Sequence, residues 1–282
     1  MTHSRPAIRE LLDQAGLAPR RDLGQNFVAD PNTVRRIAEL AQVGAGDRVV
    51  EIGAGLGSLT LALADTGADV TALEVDRGVV PVLRRVVADR ANVHVVEADA
   101  MHLDWDALVT DAPDGAPHRP SWVLVANLPY NVATPLICDL LDTTPSITRM
   151  LVMVQREAAE RFAARPGTAA YGAVSVKVAY WGAAKIVGHV PASVFVPRPN
   201  VESSLVEITR GDPPDTDPDE LFTLVRAGFG QRRKMLRRSL AAIVDPDTFV
   251  HAGIDPTARP ETLDVDAWCR LTDAHLRARS AP

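Results

Sequence analysis

The stretch RVVEIGAGLG, Arg48–Gly57, decides how the rest of this chain is read. Arg48–Ile52 is short, rich in β-branched residues and apolar, as a buried strand is. Three glycines follow at alternate positions, Gly53, Gly55 and Gly57, and then the helical pattern of Leu59–Asp65. A strand that breaks at glycine into a helix opens an α/β layer. Residues without a Cβ let the backbone turn tightly and approach a ligand closely. The spacing is GxGxG with Ser58 next, so the dinucleotide fingerprint GxGxxG is not met. Taken alone, the glycines leave a nicotinamide site and other adenosine-containing cofactors equally open.

Working outward, Val70–Val75, Val93–Val96, Trp122–Ala126 and Met150–Val154 are further short apolar runs that read as parallel strands. Gly78–Asp89, Thr134–Asp142 and Arg156–Ala164 read as helices. Alternation of this kind predicts a doubly wound, Rossmann-like α/β domain with a mostly parallel sheet. Asp111–Pro120 is rich in Pro, Gly and Asp and is expected to be a surface loop. In Tyr171–Trp181, Val174, Val176 and Val178 alternate with Ser175 and Lys177, and that period favours a strand. Lys185–Val190 and Val201–Thr209 are two more strand candidates. Arg210–Pro218 has the composition of a linker, and the pattern beyond it is helical. The expected division is an N-terminal extension over 1–20, a cofactor domain over 21–210 and a small helical domain over 216–282.

The chain has 282 residues, 46% of them hydrophobic and 23% charged, with a net charge of −6 and two cysteines. No apolar run is long enough to span a bilayer, and Met1–Gly16 lacks an apolar signal core. Cys138 and Cys269 form no CxxC or Cys/His cluster, so neither a structural zinc nor any other metal is expected, and a reducing cytoplasm fits. The negative total argues weakly against a nucleic-acid partner, but the distribution argues for one. Leu221–Val244 carries six basic residues and no acidic one, and phosphate binding needs a local positive surface only.

Glu74 lies at the end of the second predicted strand and Asp99 at the end of the third, where ligands of such sheets bind. A carboxylate at Glu74 can accept both hydroxyls of a ribose, and one at Asp99 can accept from an adenine amine. Glycines with two acids at successive strand ends fit S-adenosylmethionine, which has no pyrophosphate to cradle. Asn127-Leu128-Pro129-Tyr130 follows the fourth strand. An adenine amine is a poor nucleophile because its lone pair is delocalised into the ring. Two fixed acceptors for its N–H groups favour a localised, tetrahedral nitrogen. The Asn127 side-chain oxygen and the Leu128 or Pro129 carbonyl suit that role, Pro129 stiffens the turn, and Tyr130 offers a face to a flipped base. A cytosine C5 enzyme would want a cysteine where Tyr130 stands. A nicotinamide dehydrogenase would have no use for the Asn127–Tyr130 set.

With these residues assembled, the chain resembles the small-subunit (16S) ribosomal RNA adenine N6,N6-dimethyltransferases from about Arg20 to Leu263. The motifs are LGQNF (23–27), EIGAGLGSLT (51–60), LEVD (73–76), EADA (97–100), NLPYNVATPL (127–136), MVQREAAERFAARPGTAAYG (153–172), VPASVFVPRPNVESS (190–204) and FGQRRKMLRRSL (229–240). The resemblance implies a class I S-adenosylmethionine-dependent methyltransferase fold, a C-terminal helical domain, and a helix rather than a strand at Tyr171–Trp181. It implies cofactor contacts at Asn26, Val28, Gly53, Gly55, Glu74, Asp99 and Asn127. It places Phe195 opposite Tyr130 as the second aromatic stacking on the target base. The implied substrate is a pair of adjacent adenosines in the 3′-terminal hairpin loop of small-subunit rRNA, each methylated twice, with free 16S rRNA and an assembling subunit both open as its form; the enzyme is expected to be a monomer. Related resistance enzymes that act on large-subunit rRNA share the glycine loop, but the motifs at 190–204 and 229–240 are more similar to the small-subunit group. Two positions depart from the pattern: Asp22 precedes LGQNF where a basic or small polar residue is usual, and Ala54 replaces a common proline.

Gln231–Ser239 reads as a helix with Leu236, Leu240 and Ile243 as its apolar stripe. Its basic residues, Arg232, Arg233, Lys234, Arg237 and Arg238, are the expected RNA phosphate contacts. Arg20, Arg21, Arg156, Arg161 and Arg165 are weaker candidates.

Overall fold

The computed structural model describes residues 2–109 and 121–280, so the loop expected at Asp111–Pro120 lies outside the described residues. The chain runs through α1 (Arg5–Gln14), β1 (Phe27–Val28), α2 (Pro31–Ala41), β2 (Arg48–Ile52), α3 (Ser58–Ala64), β3 (Asp69–Glu74), α4 (Val80–Val86) and β4 (Val93–Glu97). It continues through α5 (Trp105–Val109), β5 (Trp122–Asn127), α6 (Ala133–Thr143), β6 (Ile147–Gln155), α7 (Arg156–Phe162), α8 (Ala173–Trp181) and β7 (Gly182–Val190). The last elements are β8 (Phe195–Val196), β9 (Ser203–Arg210), α9 (Pro218–Gly230), α10 (Leu236–Ser239), α11 (Pro246–Ala252) and α12 (Val265–Ser280).

Internal contacts divide these elements into two units, Met1–Ala159 with Lys185–Arg210, and Glu160–Ala184 with Gly211–Pro282. Residues 160–184 thus group with the C-terminal stretch, a different partition from one cut between 210 and 216.

Among the described residues the first unit is built on a seven-stranded sheet in the order β4-β3-β2-β5-β6-β9-β7. β4, β3, β2, β5 and β6 are parallel, and β9 runs antiparallel to β6. The strand order reverses between β2 and β5, which is the topological switch point of such sheets. Register does the rest. Ile52 pairs with Leu73 on one side and Ala126 on the other. The residues that follow these three, Gly53, Glu74 and Asn127, therefore leave the sheet side by side at its carboxyl edge. Both central strands are buried on two faces, and Val49, Val70, Val123, Val125, Leu151 and Met153 pack with α2 and α3 residues Val34, Ile37, Leu59 and Leu63 in one core.

Asp-Pro starts three helices. Asp30 accepts the Asn32 and Thr33 N–H groups, Asp217 that of Glu220 and Asp245 that of Asp247, with Pro at the first helical position each time. The side chain satisfies an orphan donor, and the proline needs no partner for an N–H it lacks.

The second unit is helical around its own core of Tyr171, Val176, Tyr180, Leu221, Leu224, Leu236, Phe249, Trp268 and Leu271. Tyr171–Trp181 is the place where periodicity misleads. Ala173–Trp181 is helical, as the resemblance implied, because Ser175, Val176, Val178 and Tyr180 are all buried. A helix covered nearly all round carries no amphipathic stripe to read. Ser175 Oγ accepts from the Gly172 N–H at 3.1 Å and donates to the Arg161 carbonyl at 2.6 Å, fixing the start of the helix.

Candidate functional site

At the carboxyl edge of the sheet a cleft is lined by Asn26, Val28, Gly53, Gly55, Glu74, Asn127, Leu128, Pro129 and Tyr130, among others. Nearly all of the expected cofactor and catalytic residues thus share one wall. Asp99 lines an adjoining cleft with Ile52, Val75, Met101 and Leu136, and the two clefts share Leu23, Gly53, Val75 and Pro129.

The glycine loop is shaped by contacts that a side chain would break. Gly53 and Gly55 have φ of 74° and 56°. A Cβ on Gly55 would sit 3.1 Å from the Phe27 ring, so the residue is glycine for two reasons, the left-handed backbone and the ring beside it. The Gly53 and Ala54 N–H groups donate to the Leu73 carbonyl at 2.9 and 3.0 Å, which ties the loop to the end of β3.

Glu74 is 5% exposed. Its carboxylate accepts the Gly55 N–H at 2.7 Å and the Asp76 N–H at 2.9 Å, one on each oxygen. Burial pushes its pKa above the usual carboxylate range, against these two bonds. One lone pair per oxygen remains for a diol. Asp99 lies two residues past the end of β4. The Met101 N–H at 2.9 Å and His102 Nδ1 at 3.0 Å keep its carboxyl below the ordinary range, so it is an anion and an acceptor at neutral pH.

Glu51, within the glycine motif but given no role from sequence, also lines the cleft. It is 2% exposed, its Oε2 has no hydrogen-bond partner, and burial, with the Glu74 charge adding, pushes its pKa up to about 8. A buried polar atom left open at a cleft wall is available to a ligand bound there. Together with the glycine cradle and the two acids at strand ends, it fits a cofactor carrying a ribose, an adenine and further donors, as S-adenosylmethionine does.

Asn127 Nδ2 donates to the Asn26 carbonyl at 3.0 Å. That bond commits the amide nitrogen and leaves Oδ1 as the acceptor the side chain has to offer. The Leu128 N–H is held by the Met153 carbonyl at 3.1 Å, and the Pro129 carbonyl accepts both the Val132 and Ala133 N–H groups at 3.2 and 3.1 Å. The Pro129 oxygen is thus spent on starting α6, and of the two carbonyls considered Leu128 is the one left for a ligand. Tyr130 lines the cleft and its hydroxyl is 2.9 Å from Ser203 Oγ on β9, a partner invisible in the sequence.

Phe195 does not join them. Its backbone pairs with Val28, and its ring is 0% exposed in the core with Val34 and Ile37. In this arrangement it presents no face to a base, because a phenyl ring gains more from full burial than from a half-open cleft. The expected stacking pair is thus not brought together in this structure: Tyr130 lines the cleft and Phe195 lies in the core.

In the second unit, Gln231–Ser239 is not one helix. Lys234 N–H closes a turn on the Gln231 carbonyl at 2.8 Å, and only Leu236–Ser239 is helical. Arg233, Lys234, Arg237 and Arg238 are exposed. Arg232 is half-buried, donates to the Ala169 carbonyl at 3.0 Å and lies 3.9 Å from Glu261, which gives it a structural post. Leu236 and Leu240 are buried as expected, whereas Ile243 is exposed. Of the weaker basic candidates, Arg20 pairs with Asp22 at 2.6 Å and Arg156 with Glu202 at 3.6 Å. Among the described residues no group of three or more His, Cys, Asp or Glu is arranged to hold a metal, and no helix is long and apolar enough to cross a membrane.

Residues 16–275 match the family described as Ribosomal RNA adenine dimethylase. The chain belongs to that family. Its similar relatives include the Ribosomal RNA small subunit methyltransferase A of Cutibacterium acnes, 45% identical over 96% of this chain and 94% of the relative. That of Thermobifida fusca is 45% identical over 94% of this chain and 93% of its own length. Among solved structures, a dimethyladenosine transferase from Plasmodium falciparum shares the fold with a TM-score of 0.72 at 24% identity, covering 86% of this chain and 94% of its own. The 23S rRNA methyltransferase ErmE aligns with a TM-score of 0.64 at 26% identity over 88% of this chain and 98% of its own. The family's dimethylase fold accordingly spans both units of the chain.

Proposed function

We propose that this chain is an S-adenosylmethionine-dependent rRNA dimethyltransferase that methylates the N6 amines of adenines in small-subunit (16S) rRNA. The observation that carries the reading is the Asn127 amide: its nitrogen is tied to Asn26, so its oxygen is a fixed acceptor at the cleft that holds the glycine loop and Glu74. Similarity at 45% to small-subunit methyltransferases, against 26% to a large-subunit enzyme, sets the choice of rRNA.

Bound in the cleft, S-adenosylmethionine supplies an electrophilic methyl group on a sulfonium, which leaves as a neutral thioether. Glu74 would hold the cofactor ribose and Asp99 its adenine amine, with Asn26, Val28, Gly53 and Gly55 lining the cleft. In the first transfer Asn127 Oδ1 and the Leu128 carbonyl accept the two N–H groups of the target amine and draw its nitrogen towards a tetrahedral, nucleophilic geometry; in the second, one of them holds the single N–H that remains. Pro129 stiffens the turn, and Tyr130 stacks on the extruded base. Each transfer leaves a cationic nitrogen that is a strong acid and gives its proton to water, so no general base of unusual strength is needed, and placement and fixed dipoles carry the rate enhancement. The finer reading is that two adjacent adenosines of the 3′-terminal hairpin loop are each dimethylated in an assembling subunit, in the cytoplasm, by a monomer. Arg233, Lys234, Arg237 and Arg238 contact RNA phosphates.

The test is transfer of labelled methyl groups from the cofactor to unmethylated small subunits and, separately, to large-subunit RNA, with mapping of the modified bases. Label on paired adenines of the small subunit is expected. Label confined to the large-subunit RNA, or no label on either, overturns the reading.

A further inference from the structure

The segment before the matched family region has no part in the reading above, yet it packs on the glycine loop. Pro6 in the first turn, apolar Ile8, Leu11 and Leu12 at helical spacing and a left-handed Gly16 (φ 64°) define α1 and its end. The Leu17 N–H folds back to the Leu12 carbonyl at 2.9 Å beyond it. Ile8 is 0% exposed and packs with Leu12, Phe27, Leu56, Val79 and Val82. Ile8 is also one of the residues lining the cofactor cleft.

His3 fastens the same segment to the loop twice. Its Nε2–H donates to the Leu56 carbonyl at 3.0 Å, and its backbone N–H donates to Ser58 Oγ at 3.4 Å. Burial lowers the His3 pKa, so the ring is neutral, and the bond to a carbonyl assigns its proton to Nε2. Arg5 Nη2 donates to the Ser193 carbonyl at 2.6 Å. A ten-residue helix is marginal by itself in water. Its stability therefore comes from docking on the glycine loop beside the cofactor cleft.

We propose that residues 2–14 form a strap that completes the cofactor site, with Ile8 as a ligand-positioning residue and His3 as the clamp holding Leu56 and Ser58 of the glycine loop. This rests on the assignment of the cleft to S-adenosylmethionine. Docking of the strap and binding of the cofactor then reinforce one another, and the coupling is reciprocal by linkage.

The experiment titrates S-adenosylhomocysteine into the full chain, into Ile8→Ala and His3→Ala variants, and into a chain lacking residues 2–14, with amide exchange followed across Ile8–Leu12 in the full chain. The shortened chain is expected to lose roughly 5- to 150-fold in affinity, the range typical of coupled sites. Ile8→Ala and His3→Ala should lose less and show it as faster ligand dissociation. Exchange in α1 should slow on ligand addition by a factor of the same size. Affinities of Ile8→Ala and the shortened chain within about twofold of the full chain, or exchange in α1 indifferent to ligand, overturn the strap. Where the shortened chain does not fold, Ile8→Ala and the exchange measurement decide alone. Failure of the full chain itself to bind S-adenosylhomocysteine overturns the assignment of the cleft instead.

Discussion

Glu51 sits closest to the point where burial and chemistry meet. Its carboxyl is pushed from an ordinary 4.5 up to about 8 by burial. Between those values the folded chain holds a proton that the unfolded chain has released. Stability therefore falls as pH rises from about 4.5 towards about 8 and is level above, where both states are ionised. Glu51→Gln keeps the shape and removes the titration. Unfolding in urea at pH 5.5 and pH 8.5 should show a loss with pH in the parent chain that is smaller in the variant by a few kcal/mol at most. Equal pH dependence in the two chains would show that Glu51 is ionised in the fold. Ser203 offers a second check, since its hydroxyl anchors Tyr130 at 2.9 Å. Ser203→Ala should raise KM for the RNA several-fold while leaving S-adenosylhomocysteine affinity alone, and Ser203→Ala in a Tyr130→Phe background should add little, as expected of partners in one bond. Asn127, Glu74 and the glycines were legible because strand ends converge in this topology whatever the loops do. The Ser203–Tyr130 bond was not, for it joins two elements far apart in sequence. The burial of Phe195 was not legible either, because VFVP alternates equally well into a core or a cleft, and only packing against Val28, Val34 and Ile37 decides which.

At the scale of elements, the basic segment shows why a charge run does not report its own conformation. The Leu236 N–H bonds to the Ala258 carbonyl at 2.8 Å and the Arg237 N–H to that of Pro256 at 3.0 Å. These donors are taken by a distant loop, so the helix cannot extend back to Gln231, and nothing local in QRRKMLRRS announces it. The consequence for binding is a division of labour among the arginines. Arg233→Gln with Arg237→Gln should flatten the slope of log affinity against log salt for single-stranded rRNA by about 1.4, with cofactor affinity unchanged. Arg232→Gln should instead lower the melting temperature, since the Ala169 carbonyl and Glu261 lose their partner. A double variant with the parent's salt slope would remove this segment from the RNA surface. The parallel strands were read in place, β2 to the residue, because strands buried on both faces leave an unbroken apolar signature, whereas β6 begins three residues earlier than expected, α4 is shorter and α5 was not foreseen. α8 was misread by period for the converse reason, burial on nearly every side.

For the whole molecule, the division of the chain is the feature that sequence composition could not supply. One division by internal contacts falls between Arg210 and Gly211, at the edge of the linker-like stretch, but residues 160–184 group with the C-terminal stretch as well. Their lodging depends on side chains such as Tyr171, whose hydroxyl donates to the Leu263 carbonyl at 2.8 Å, and Tyr180, which donates to that of Thr216 at 2.7 Å. A chain ended at Arg210 keeps every residue assigned to the cofactor cleft but strips the partners from Tyr171, Val176 and Tyr180, all of them buried in the second core. Such a fragment should bind a hydrophobic dye and aggregate, as followed by fluorescence and light scattering; a monodisperse, dye-free fragment would show that 160–184 is content without the C-terminal stretch. The same connectivity dictates an order of events during synthesis. β9 is the neighbour of both β6 and β7 in the sheet, so the sheet cannot close until Arg210 has left the ribosome. By then 160–184 has already emerged, and it must wait for the remainder of the chain, a delay on the order of several seconds at ordinary elongation rates. For that interval a newly made chain carries a finished sheet and an apolar segment whose partners Leu221, Phe249 and Trp268 are still to be made.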